Sequence, residues 1–156
     1  MSDDARFEDG ASKPLNLGAQ DGGDLQILSA LAQDAVFTSA DLTWQAAQRR
    51  FALLINRIRR EDTLPVGTVE RARAVLVFDN VLGVASQGVD RSDNDTVLQV
   101  LEIVFAETSE GAGHVTLTLA GDGALRLNVE ALEVTLKDVT KPYMAPSGKS
   151  PDHGLA

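Results

Sequence analysis

The sequence predicts an α+β fold built on a mostly antiparallel, strongly curved sheet of seven strands, or a small barrel. Three observations predict it. Residues 115–119 and 125–129 alternate apolar and polar side chains strictly on both sides of Gly121-Asp122-Gly123, the pattern of a β-hairpin. Further strand-length runs succeed one another from Val69 to Leu136 with short connections, whereas parallel neighbours would need crossovers of about a dozen residues or more. One amphipathic helical segment precedes them.

The 156 residues suit one domain. Residues 1–14 are polar and rich in Asp, Gly and Ser, and read as a disordered arm. The domain is expected over 15–140, and an irregular tail with three prolines over 141–156. Leu15 to Leu17 reads as a short edge strand.

Residues 24–35 read as a helix. Leu25, Leu28, Leu31 and Ala32 recur at helical spacing, Ile27 widens the stripe, and Asp21 or Asp24 can cap the first turn. Residues 36–45 carry Val, Phe, Thr and Trp and favour a strand. A short turn at 46–49 leads to a long strand at 50–60, with Phe51, Leu53 and Ile55 on one face. The apolar parity then shifts to Ile58, which a bulge near Asn56 or burial of both faces would explain. Helical spacing also fits Phe51, Leu54, Ile55 and Ile58, but the strand is the preferred reading.

Residues 61–68 contain Pro65 and Gly67 and read as a loop. Strands are expected at 71–79 and 81–88, then a polar loop at 89–96. Residues 97–106 are apolar on both parities, as in a central strand. After a loop at 107–113 comes the hairpin, whose glycines serve a turn with positive φ. Residues 130–139 fit two periods: Val129, Leu132, Leu136 and Val139 for a helix, and Leu132, Val134 and Leu136 for a strand. A short C-terminal helix is the reading taken.

The chain has no cysteine, which removes disulfides, thiolate nucleophiles and thiolate metal sites. Its acidic start lacks the basic and apolar run of a secretory leader, and no stretch approaches a membrane span, so a cytoplasmic location is expected. A net charge of −9 opposes nucleic-acid binding, which relies on neutralising phosphates.

Catalytic constellations are scarce. His114 lies on the polar parity of a strand, His153 lies in the tail, and no metal-binding spacing joins them. The loop from Asp90 to Asp95 resembles a calcium loop only loosely, because Asp95 stands where Gly is required and Leu101 where Glu is required. A solvated turn is the reading. Gly121-Asp122-Gly123 joins two strands, so it is no dinucleotide fingerprint. Glu130 with Glu133, or Asp93 with Asp95, read as surface acids. Neither a catalytic residue, a metal site nor a cofactor is assigned.

The arginines are unevenly distributed. Residues 49–73 carry a net charge of +4, against −13 for the remainder. Arg50, Arg57, Arg59 and Arg60 lie on or near one expected strand, and Arg71 and Arg73 on the next. If the strands form a hairpin, their guanidinium groups share a surface. Arg suits bidentate contact with carboxylate or phosphate, and Trp44 is expected to border the patch. Pairing of these arginines with acids of the same chain is the plainer account and the favoured one.

The segments 50–57 (RFALLINR), 89–93 (VDRSD), 123–127 (GALRL) and 151–153 (PDH) occur in an order that resembles the bacterial family known as domain of unknown function 2948. The resemblance runs from about Leu15 to His153. It implies a small cytoplasmic protein of alphaproteobacterial type. It implies no activity and carries over no functional residue.

Seven strands and a terminal helix would suit a pleckstrin-homology-like barrel, although fold does not give function. The functional expectation is a non-enzymatic binding module that uses the Arg-rich sheet face, with an acidic protein surface or a small anion as partner and neither nucleic acid nor membrane. The alternatives are an enzyme with carboxylate and Arg chemistry on a sugar or phosphorylated metabolite, and a structural homo-oligomer that pairs at sheet edges or through Trp44. A deep polar pocket holding a carboxyl with a raised pKa would mark the enzyme.

Overall fold

The computed structural model describes residues 14–59, 69–141 and 143–144. The expected loop at 61–68, Arg60, His153, and most of the arm and tail lie outside the described residues. Within them the chain forms strands β1 (Asn16–Ala19), β2 (Val36–Phe37), β3 (Leu42–Gln45), β4 (Arg50–Ile58), β5 (Glu70–Phe78) and β6 (Val81–Gln87). Strands β7 (Leu98–Ser109), β8 (Ala112–Leu119), β9 (Ala124–Val129), β10 (Val134–Asp138) and β11 (Tyr143–Met144) complete the set. One helix, α1 (Gly22–Ala32), lies between β1 and β2.

The strands join into one sheet in the order β1-β10-β5-β4-β2-β7-β8-β9-β6, with β3 added at β4 and β11 added at β5. Every pairing among the described residues is antiparallel. The α+β class and the antiparallel sheet are as expected. The strand count is not: the described residues form eleven strands in place of seven. Residues 36–45 split into β2 and β3 around a short 3₁₀ turn at Ser39–Asp41, and Tyr143 and Met144 add a strand in the segment read as an irregular tail.

Residues 130–139 contain strand β10, not a helix. Val134, Leu136 and Asp138 are buried in alternation, each opposite a buried residue of β5, whereas Val139 of the helical pattern is exposed. Pairing along β5 offers five residues a ladder, which outweighs the weak helical preference of Val and Thr.

Helix α1 begins earlier than expected. Asp21 is its cap, accepting from the Asp24 amide at 2.8 Å. Leu25, Leu28 and Ala32 are buried, and the two leucines contribute about 1.5–3 kcal/mol each. Ile27 does not widen the stripe and is 57% exposed. The helix packs chiefly on β7 and β1, and the Ser29 hydroxyl accepts from the Ile103 amide at 2.9 Å.

Among the described residues the main core is one large cluster against the sheet, and Ile58 with Val69 form a second, small one. The main cluster joins Leu25 and Leu28 of α1 to Phe51, Leu53, Ile55, Leu76, Phe78, Leu117, Leu127 and Leu136. Phe51 and Phe78 are register partners whose ring centroids lie 6.2 Å apart. At the hairpin between β8 and β9, Gly121 has φ 80° and Asp122 φ 68°, so the second left-handed position falls on Asp122. The loop expected at 107–113 shrinks to Glu110 and Gly111, both with positive φ.

Candidate binding face

The β4–β5 ladder runs unbroken from Phe51 opposite Phe78 to Ile58 opposite Arg71. No bulge forms near Asn56. The inward parity of Phe51, Leu53 and Ile55 instead continues through Arg57, and Ile58 lies on the other face. Arg57 is therefore turned into the protein and is fully buried. Its Nε donates to Asp138 Oδ1 and its Nη2 to Asp138 Oδ2, each at 2.9 Å. Asp138 Oδ2 also accepts from the Leu15 amide at 2.8 Å, which anchors the start of β1. Two buried charges thus satisfy one another bidentately, the arrangement that makes such burial tolerable.

Arg59 shares that parity, is 5% exposed, and contacts Glu70 at 3.2 Å. Arg50 lies on the outer parity but contacts Asp79 at 2.8 Å, six residues or roughly 20 Å of strand from Asn56. Arg50, Arg57 and Arg59 are thus held by acids of the same chain, as the plainer account expected.

Arg71 and Arg73 take the outer parity of β5. Arg73 stands opposite Asn56, and Tyr143 of β11 stands opposite Arg71. Asn56 joins them: its Nδ2 donates to the Tyr143 hydroxyl at 2.8 Å, and its Oδ1 accepts from Arg71 Nη1 at 3.1 Å. The Arg73 amide donates to Thr140 Oγ1 at 3.0 Å, while its exposed guanidinium extends from the sheet. Lys137 stands on the outer parity of β10, opposite Val75, and is exposed. Among the described residues, no carboxylate lies within ion-pair distance of Arg71, Arg73 or Lys137. The outer face of β4, β5 and β10 therefore carries three positive charges uncompensated by those residues.

The chain matches the model of the family described as protein of unknown function, DUF2948, over residues 15–153. It belongs to that family. No curated protein and no solved structure matches it.

Trp44 of this DUF2948 chain is not a neighbour of the cationic face. It pairs with Phe51 across β3 and β4, on the inward side, and is half-buried. It lines a cleft of about 270 Å³ with Ser39, Leu42, Phe51, Arg91 and Asn94. The loop from Asp90 to Thr96 walls that cleft, held by the Ser39 hydroxyl, which donates to the Asp93 carbonyl at 2.9 Å. The loop's acids serve the loop itself. Asp90 Oδ1 accepts from the Ser92 hydroxyl and amide, and Asp93 accepts from the Thr96 hydroxyl and from the Asp95 and Thr96 amides. These bonds hold both carboxyls below the usual aspartate range, led by the Ser92 hydroxyl for Asp90 and the Thr96 hydroxyl for Asp93. Among the described residues no group of three His, Cys, Asp or Glu could hold a metal ion.

His114 lies on the outer parity of β8, with Asn128 opposite, beside a shallow depression of about 400 Å³ over Gly83 and Ala85. No helix among the described residues is long and apolar enough to cross a membrane.

Sequence reasoning missed Asn56, Lys137 and Tyr143 as parts of the cationic face. The signal for Lys137 was present as alternation with Leu136 and Asp138. Tyr143 gave no signal, because a two-residue strand has no period.

Proposed function

We propose that this chain is a non-enzymatic binding module whose outer sheet face, carrying Arg71, Arg73 and Lys137, docks an acidic protein surface. The observation that supports it is the contrast in compensation. Arg49, Arg50, Arg57 and Arg59 are each paired with an acid, while these three are not paired among the described residues, on a chain of net charge −9. Arg71 is pre-oriented by Asn56, which reduces the side-chain entropy lost on docking. Two residues along a strand span about 6–7 Å, so the charges lie spread over a face, which suits a protein surface better than one small anion.

The test is charge reversal at positions that bear no core load. Arg73→Glu with Lys137→Glu should remove the partners captured by the unmodified chain from its native host, with an unchanged melting temperature. Capture of the same partners by both forms would eliminate the reading.

A further inference from the structure

The sheet has a second feature of the opposite sign. Strand β7 pairs with β8 along one edge, but β2 covers its other edge only at Leu98 and Gln99. Val100 then exchanges backbone bonds with Asp34 and Ala35, and the Ile103 amide is met by Ser29. The register continues without a shift from Glu102 to Glu107, so the amide and carbonyl of Phe105 face the same way as the Ile103 amide, away from β8. Beyond Ser29, α1 no longer supplies a hydrogen-bond partner to this edge among the described residues. Phe105 is half-buried at its base.

A groove opens there. Cavities of about 280 Å³ and 570 Å³ meet at Gly22 and Phe105, which line both. Asp21, Glu102, Glu107 and Glu133 line the groove, and among the described residues no Lys, Arg or His does. An unpaired strand edge in a groove is a template for an added strand, and backbone pairing supplies the attachment. The carboxylates select the sign of the incoming side chains. Inward and outward positions alternate along β7, with Glu107 on the Phe105 side and Glu102 on the other. A strand laid on this edge would meet negative charge on both of its faces.

We propose that the β7 edge at Phe105 to Glu107 accepts an extended, Lys- or Arg-bearing peptide segment of a partner protein as an added strand. This site is independent of the cationic outer face. The carboxylates hold the basic side chains, and the Phe105 amide and carbonyl pair with the peptide backbone.

The test uses the full chain and a labelled acetyl-Arg-Val-Arg-Val-Arg-amide peptide, tracked by fluorescence anisotropy. Two further peptides carry N-methyl groups, one on the valines and one on the interior and terminal arginines. Strand pairing turns one set of amides to the edge and the other to solvent. One methylated peptide should therefore lose about tenfold in affinity while the other keeps it. Glu102→Lys with Glu133→Lys should weaken the unmethylated peptide by about tenfold, while Asp95→Lys, in a distant exposed loop, should change it little. Hydrogen exchange at the Phe105 amide should slow when the peptide is bound. Equal affinity of the two methylated peptides, equal weakening by Asp95→Lys, an unprotected Phe105 amide, or no binding would each overturn the proposal.

Discussion

The β4–β5 ladder and the β7–β8 ladder use the same antiparallel pairing to different ends. The first holds its register over eight residue pairs. Each side chain's face is then set by parity alone, which places Arg57 inside and Arg71 and Arg73 outside. The second ladder is interrupted twice, between Val100 and Glu102 and between Glu107 and Ser109. Each irregularity re-aims the side chains beyond it. After the first, the inward positions move from Val100 to Ile103, leaving Leu101 and Val104 exposed although the run is apolar on both parities. Regular pairing keeps each parity on one face, and irregular pairing moves side chains from one face to the other.

The largest effect should come from breaking the buried pair of the regular ladder. Arg57→Ala leaves the Asp138 carboxylate enclosed with only the Leu15 amide to bond it among the described residues, at a cost of about 3–5 kcal/mol. Denaturant unfolding measures it. A loss below about 1 kcal/mol would mean that parity had not committed this arginine to the interior. Replacing both partners with apolar residues, Arg57→Met and Asp138→Leu, should recover most of the loss, because no uncompensated charge then remains.

The bulged ladder should answer to a smaller change of volume. Gly113 faces Glu107 beside the second irregularity. A Cβ there would overlap the Ala106 carbonyl oxygen and lie 2.9 Å from the Glu107 Cα, both backbone atoms. Gly113→Ala should therefore destabilise by about 1–3 kcal/mol, as overpacking does. Gly111, with φ +90° but open space around its Cβ position, would be strained by backbone conformation instead, so the two glycines separate the two causes. An unchanged unfolding midpoint for Gly113→Ala would show that β7 and β8 can part at no cost. On the outer face, Arg73→Glu should shift stability by no more than about 0.5 kcal/mol, since its guanidinium bonds to no side chain among the described residues.

These differences explain what was legible in the sequence. The antiparallel class, the β8–β9 hairpin and helix α1 could be read because each has a local period or turn chemistry that tertiary contacts only reinforce. Arg57 could not be placed from its own strand's pattern, because an inward arginine needs a partner 81 residues away. Its parity with Phe51, Leu53 and Ile55 was visible, and so was that of Asp138 with Val134 and Leu136. The charge on each argued against burial, and only their pairing reverses that argument. Residues 130–139 fitted two periods, and the choice was made by β5, which no local pattern records. The cationic face was half legible for the same reason: its two arginines and Asn56 lie in the Arg-rich stretch, but Lys137 arrives from β10 and Tyr143 from β11.

The smallest effect lies in the loop that feeds the bulged ladder, and a change of pH brings it out. Asp90 and Asp93 are held below the ordinary aspartate value of about 3.9 by donors of their own loop. A carboxyl with a lowered folded-state pKa contributes stability that is complete above its unfolded value and fades as pH falls through the folded one. The loop should therefore be fully braced above about pH 4 and loosen only below it. Both acids are exposed, so the global unfolding midpoint should barely register the change. A carboxyl-carbon NMR titration reads it directly. The Asp93 midpoint should lie below the ordinary aspartate value of about 3.9. Thr96→Val removes the hydroxyl that contributes most and should raise the Asp93 midpoint toward the ordinary value. If Asp93 titrates at the ordinary aspartate value in the unmodified chain, the loop is not braced by its own acids, and the wall it forms beside Trp44 depends on the Ser39 hydroxyl and the loop's backbone bonds.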